Sequence, residues 1–362
     1  MKGRFQIQRR IREKCRVWRS AVLAAVLWWA VLSGIFVLEG CGRTEDEAEP
    51  ALEQEAAEAD IRDEEEQSSS ADSAVSSGAY QTVVWQGGEY TYNDHLSNFL
   101  FLGIDTRENV ETDTGMADAG QADALYLLSY DRISGEMVLI SIPRDTMTQI
   151  EVFDRDGQSL GLTEQHISLS YGYGDGSYGS LALAEQAVSN LFYGLPIQSS
   201  CAMSLDGISE LLKSFGTVTV TVPNDSLEEQ YPEFQESEEA VITEENAETF
   251  LRWRDTNQTQ SALGRMERQQ AFLKAFGETA LERYAGNPEG LLNVYESLSP
   301  YLVTEIGNSW LLKIAESYLD GAAVTEWTVP GEGVQGETFD EYLVDDSAFY
   351  EAVIETFYEK AE

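Results

Sequence analysis

The chain falls into segments of sharply different polarity. Residues 20–38 are a 19-residue run without a charge, AVLAAVLWWAVLSGIFVL after Ser20. As a helix this run would span roughly 28 Å, about one hydrocarbon core. Residues 42–87 then lose the apolar pattern. Thirteen acids and two arginines fall between 42 and 79, together with Ser68-Ser69-Ser70 and Ser76-Ser77-Gly78. Such a stretch cannot bury a core and predicts a self-repelling, extended tether. From 88 to 362, apolar runs of strand length alternate with longer amphipathic stretches, which predicts a layered α/β domain.

Within that domain, 98–104 (NFLFLGI), 124–130 (ALYLLSY) and 136–142 (EMVLISI) read as buried strands. The turn DRISG at 131–135 joins the last two as a hairpin, and Pro143 closes the third. Further strands are predicted near 200–204, 218–222 and 324–329. Helices are predicted at about 180–192, 205–215, 243–253, 263–284, 288–297, 308–319 and 347–358. The Gly- and Tyr-rich segment 171–179 predicts a surface loop or a lid, and 225–239 an acidic surface loop.

Charge narrows the class of partner. The chain has 23 Lys+Arg against 64 Asp+Glu, a net charge of −41. Eight of the cations and one acid lie in the first 20 residues, so the remaining 342 carry 15 cations and 63 acids, a net of −48. So acidic a body excludes nucleic acid as the main partner, because backbone binding needs a net basic face. It equally excludes electrostatic adhesion of the body to an anionic membrane.

The basic segment 1–19 ahead of the apolar run should stay cytoplasmic and leave the rest outside, as a single-pass protein with an extracytoplasmic C-terminal domain. The sequence Leu38-Glu39-Gly40-Cys41 also resembles a bacterial lipoprotein signal, with Glu39 departing from the usual small residue. Residues 20–41 are therefore expected to be an uncleaved anchor or a signal lipidated at Cys41. Of the three cysteines, only Cys201 lies in the folded part, so no internal disulfide is available there.

The candidate chemistry gathers at strand ends. Asp105 ends the first strand and Asp123 starts the second. If the two pair antiparallel, both carboxylates share one sheet edge. The following hairpin returns Pro143-Arg144-Asp145 to that edge, where open α/β sheets place ligands. Five of the 15 body cations, Arg252, Arg254, Arg265, Arg268 and Lys274, fall within 23 residues. Arg265 and Gln269, four apart, share a helix face. Arg252 and Arg254 fall on one side only where the backbone is extended. Two aspartates beside several arginines suit a metal-bound diphosphate: carboxylates hold a hard cation, and guanidinium forks meet phosphate oxygens.

The strings NFLFLGIDTR, QADALYLLSYDRISGEMVLISIPRDT, FLRWRD and GRMERQQ, in this order, resemble the LytR-CpsA-Psr family of bacterial cell-wall ligases. The resemblance covers about 95–275 closely, with 276–362 a less distinctive C-terminal part. It implies an α/β fold, an α-β-α layered domain with a mixed central sheet over 88–362, preceded by one membrane or lipoprotein-signal helix. It implies Mg²⁺, or Mn²⁺ in its place, held by Asp105 and Asp123, with Arg144 as the central diphosphate-binding arginine. Arg252, Arg254, Arg265 and Gln269 would surround the phosphates. Two matched positions depart: Gln121 stands where the family usually has Arg, and His166 where it usually has Lys, so two positive charges are lost or weakened. The implied partners are a polyprenyl-diphosphate-linked glycopolymer and peptidoglycan, joined by a phosphotransferase in cell wall biogenesis. A diphosphatase on the same lipid, or a non-catalytic lipid-diphosphate-binding regulator, are the alternatives. The resemblance also implies an apolar prenyl tunnel; Leu181, Leu183 and Val188 are candidates to line it, although ordinary core packing is expected there.

Overall fold

The computed structural model describes residues 82–107, 119–154, 156–285 and 287–361. The expected anchor at 20–41, most of the tether, Cys15 and Cys41 lie outside the described residues. Among those described, no helix is long and apolar enough to cross a membrane.

The strands in chain order are β1 (Val83–Trp85), β2 (Gly88–Tyr92), β3 (Leu96–Ile104), β4 (Ala122–Asp131), β5 (Met137–Ile142), β6 (Met147–Phe153), β7 (Ser159–His166), β8 (Ser199–Ser204), β9 (Val218–Thr221), β10 (Glu239–Ile242), β11 (Leu302–Thr304), β12 (Val324–Thr328), β13 (Gly331–Gln335), β14 (Asp340–Val344) and β15 (Tyr358–Lys360). The helices are α1 (Tyr178–Leu191), α2 (Asp206–Phe215), α3 (Ala247–Arg252), α4 (Ser261–Tyr284), α5 (Pro288–Leu298), α6 (Asn308–Leu319) and α7 (Asp346–Phe357).

Six strands form the central sheet in the order β11-β8-β3-β4-β5-β12. It is mixed: β3 pairs antiparallel with β4, and β4 with β5, whereas β3–β8 and β5–β12 are parallel. Both faces are covered, which is why these strands read as unbroken apolar runs rather than as alternating ones. Phe99, Phe101, Tyr126, Leu128 and Leu139 point into one core, filled by α2 to α6. Leu100, Leu102, Leu125, Leu127 and Ile140 point into the other, filled by α1, α7 and β6. Helices therefore sandwich the sheet, as expected of the α-β-α arrangement.

Several elements depart from expectation. β1 begins inside the stretch expected to be tether, because β2 pairs on one side with β1 and on the other with β15, 266 residues after its own last residue. The hairpin β6–β7 was not anticipated; β7 is almost wholly exposed and lacks the alternation that marks a half-buried strand. β10 closes the loop expected to be purely acidic by pairing with β9. Segment 171–176 is neither a free loop nor a lid. Tyr171 is buried and its hydroxyl donates to the Gly176 carbonyl, while Asp175 Oδ1 accepts from the Ser177 and Ser180 amides.

Candidate active site

The antiparallel β3–β4 register, with Ile104 opposite Ala122, brings Asp105 and Asp123 to one sheet edge. A tight reciprocal contact fixes the first of them. The Asp105 amide donates to the Gln121 carbonyl at 3.1 Å, and the Gln121 amide donates to Asp105 Oδ1 at 2.7 Å. Gly120 makes this possible. Its φ is +82°, and a Cβ there would stand 2.5 Å from Thr106 Cγ2 and 2.8 Å from Asp105 Oδ1. Asp105 Oδ2 accepts no protein hydrogen bond among the described residues.

The β4–β5 hairpin delivers Arg144 to the same edge. Its Nη1 donates to Asp123 Oδ1, its Nη2 to Gln121 Oε1 at 2.6 Å and to the Ser168 hydroxyl at 3.3 Å, and its Nε to Asp145 at 3.2 Å. From α4, Arg265 donates to Asp123 Oδ2 at 3.0 Å and to Oδ1 at 3.2 Å. Asp123 is thus gripped from both sides. Burial lowers the Arg144 pKa, with Asp145 opposing, and pushes Arg265 down to about 10, helped by Arg254. Both guanidiniums remain charged at neutral pH.

Arg252 ends α3, and Trp253 beyond it is extended (φ −57°, ψ 138°). The condition for Arg252 and Arg254 to share a side is therefore met, and both line the cleft with Asp105, Asp123, Arg144 and Arg265. That cleft has a volume of about 720 Å³. Arg252 meets Glu248 at 3.4 Å, and Arg254 has no ion pair among the described residues.

Two consecutive α4 side chains hold this arginine-bearing segment in place. Gln269 Nε2 donates to the Leu251 carbonyl at 3.1 Å, and Arg268 Nη2 donates to the Trp253 carbonyl. Arg268 is completely buried and, among the described residues, has no carboxylate partner and leaves Nε and Nη1 without hydrogen bonds. Burial, reinforced by Arg265, pushes its pKa down to about 10. Its part was not visible in sequence, where it was simply one cation among five. Arg107, also not singled out, pairs with Glu248 beside Arg252.

Of the remaining candidates, only Gln121 lines the cleft. Gln269 does not line the cleft. It lines a narrow apolar slot with Ile104, Tyr126, Met203, Ile208 and Phe272, and this slot shares Asp123 and Arg252 with the cleft. At about 40 Å³ the slot admits only one or two water-sized groups, so a hydrocarbon chain would enter only if the side chains of α2 and α4 part. Leu181 and Val188 are packed in the core of the opposite face and line no part of the slot, in keeping with plain core packing. Gln121 accepts from Arg144 and so orients it; an arginine in its place would face a like charge. His166 stands outside the cleft, its ring 6.3 Å from that of Phe339 in a second groove.

The donor set bears on a metal ion. Among the described residues there is no group of three or more His, Cys, Asp or Glu able to hold one. Two aspartates, one with an oxygen that accepts no hydrogen bond among the described residues, nevertheless fit a hard cation that draws its other ligands from phosphate and water, as Mg²⁺ commonly does.

A profile of the LytR_cpsA_psr family matches residues 52–355. A protein of Halalkalibacterium halodurans named polyisoprenyl-teichoic acid–peptidoglycan teichoic acid transferase TagU is 23% identical over 239 residues, 66% of this chain and 70% of that one. The correspondingly named TagV of Bacillus subtilis is 26% identical over 183 residues, 49% of this chain and 42% of that one. Among solved structures, B. subtilis TagV matches with a TM-score of 0.53 at 20% identity, covering 73% of this chain and 97% of that one. A structure described as TagT bound to LI-WTA matches with a TM-score of 0.54 at 16% identity, covering 76% and 94%. At these identities the structural likeness establishes the shared fold.

Proposed function

The chain belongs to the LytR_cpsA_psr family, and on that premise we propose that it transfers a cell-wall glycopolymer from a polyprenyl-diphosphate carrier to peptidoglycan. The observation that carries this reading is the joining of two unlike cavities. A cleft lined by Arg144, Arg252, Arg254 and Arg265 shares Asp123 with an apolar slot, the pairing that a diphosphate attached to a hydrocarbon chain calls for. The named substrates of the transferase relatives support the same reading.

The reaction is a phosphotransfer. A peptidoglycan hydroxyl attacks the phosphorus next to the sugar, its O–P bond forms, and the bond to the bridging oxygen breaks so that polyprenyl phosphate leaves. Arg254, with no ion pair among the described residues, and Arg252 meet the phosphate oxygens. Arg144 and Arg265, held by Asp123, present fixed positive charge that needs no reorganisation as charge develops. Asp105 has the oxygen free to accept the hydroxyl proton. Mg²⁺, or Mn²⁺, held by Asp105 and Asp123 would neutralise diphosphate oxygens. Residues 20–41 anchor the protein in the cell membrane, by one span or by lipid on Cys41, and the acidic tether sets the domain (from 82 onward) away from the surface.

The test is to incubate the purified chain with a lipid-diphosphate-linked sugar, Mg²⁺ and a peptidoglycan oligomer. Coupled glycan that disappears on chelation is the expected product. Phosphate-terminated sugar released without coupling would identify a diphosphatase, and lipid binding without turnover would identify a regulator.

A further inference from the structure

A second groove of about 720 Å³ opens beside the arginine cleft. The two share Gln121, Arg144 and Arg254, so whatever leaves the cleft on that side passes into the groove. The chemistry changes at the boundary. Beyond Arg144 and Arg254 the walls carry the amides of Gln165 and Gln335, the hydroxyls of Thr256 and Thr338, and the ring of Phe339. Phe339 is 70% exposed, unusual for a large aromatic, and stands at the turn between β13 and β14. The side chains of Gln165 and Gln335 have no hydrogen-bond partner among the described residues. Of the groove's three acids, Asp145 is engaged by Arg144 Nε and Asp340 accepts from the Gln260 amide, while exposed Glu337 has no ion pair among the described residues. Gln121 and His166, the two positions where the resemblance implies a lost or weakened cation, both line this groove, and Gln121 lies at its mouth.

We propose that this groove is a binding site for an uncharged oligosaccharide running on from the diphosphate. Free amides and hydroxyls in a groove can donate to and accept from vicinal sugar hydroxyls, and the Glu337 carboxylate repels an anionic segment. An exposed aromatic ring supplies an apolar platform for the C–H face of a pyranose at little conformational cost. A phosphate-bearing polymer segment would instead call for the arginine or lysine that Gln121 and His166 replace. The inference rests on the transferase reading, since it takes the cleft to hold the diphosphate. The sugar chain has two possible sources: the first residues of the lipid-linked donor, or the peptidoglycan acceptor.

The test uses the full chain in detergent, with Gln335→Ala, Phe339→Ala and their combination, after thermal melting has shown that each variant is folded. The probes are an N-acetylglucosamine tetramer, a glycerol-phosphate oligomer of similar length, and inorganic pyrophosphate with Mg²⁺, each followed by calorimetry. The expected result is that the wild type binds the tetramer more tightly than the anionic oligomer. The double variant should lose about tenfold or more in tetramer affinity, with pyrophosphate binding unchanged. In the coupled assay, a rise of similar size in KM for the lipid-linked donor assigns the groove to donor sugars, and a rise in KM for the peptidoglycan oligomer assigns it to the acceptor. The proposal is overturned if the wild type ignores the tetramer, if the double variant binds it unchanged, if the anionic oligomer binds as well, or if neither KM moves. If pyrophosphate binding persists through those results, the transferase reading stands without the sugar groove. If the wild type binds neither probe, both readings fall.

Discussion

The two faces of the central sheet are built to different rules. On the face packed by α1 and α7 the core is closed by hydrocarbon, with Leu181, Ala184, Val188 and Phe349 all at 1% exposure or less. On the face packed by α2 to α6, a larger apolar core gives way at the sheet edge to guanidiniums that are buried and only partly satisfied. Among the described residues, Arg265 Nε and two nitrogens of Arg268 have no hydrogen-bond partner. Unpartnered buried polar groups cost free energy, and buried charges cost more. One face is therefore optimised for cohesion. The other accepts a standing cost where the structure holds positive charge ready for an anion.

The contrast between the faces can be tested by substitution, beginning with the most severe change. Arg144→Ala removes the central contact to Asp123, Gln121 and Ser168. Its coupled-assay kcat/KM should fall by about a thousandfold, as when a fixed charge-stabilising group is deleted elsewhere. On the other face, Phe192→Ala opens a core in which that ring packs edge-on against Phe349 at 4.9 Å. Denaturant melts should show a loss of about 3–4 kcal/mol, with activity per folded molecule unchanged. Should that variant lose activity while folded, the faces are not functionally separate.

Arg268→Met tests the unsatisfied charge directly. Removing a buried, unpaired guanidinium should leave stability equal or higher, since apolar replacements of buried charge are often neutral or better. Losing the bond to the Trp253 carbonyl should lower kcat/KM by about tenfold. A large fall in melting temperature would instead make Arg268 a structural residue. The smallest effect concerns Glu185, on α1, whose pKa burial pushes up to about 7. A carboxyl raised from 4.5 binds its proton more tightly when folded, so its contribution to stability is present below pH 4.5 and lost as pH rises through 7. Glu185→Gln should therefore match the wild type near pH 4.5 and exceed it by about 1–2 kcal/mol at pH 8, a figure reduced for partial solvent screening.

The central strands and their hairpin were legible in the sequence because strands buried on both faces stand out as apolar runs between turn residues. Placing Asp105, Asp123 and Arg144 on one edge then needed only the assumption that β3 and β4 pair antiparallel. What escaped reading depends on tertiary context. β7 has neither face buried along most of its length, and β1 and β15 are three-residue strands that exist only through β2. The family resemblance implied Gln269 beside the phosphates, and the shared helix face put it with Arg265; in the structure its amide turns to the Leu251 carbonyl. Arg268, one residue away on the same helix, is distinguished from its neighbours by burial and by nothing in the local sequence.

The order of the central sheet also has a consequence for synthesis. Its interior strands β3, β4, β5 and β8 are all present by residue 204, yet both outermost strands, β11 and β12, arrive only with residues 302–328. A chain stopped before residue 302 would carry the aspartates and every cleft arginine while leaving the flanks of β8 and β5 as bare rows of amides and carbonyls, open to pairing with other chains. Premature termination ahead of residue 302 should therefore yield aggregation rather than a smaller working enzyme. The margins of the sheet act as a late quality check on a site whose chemistry was complete long before.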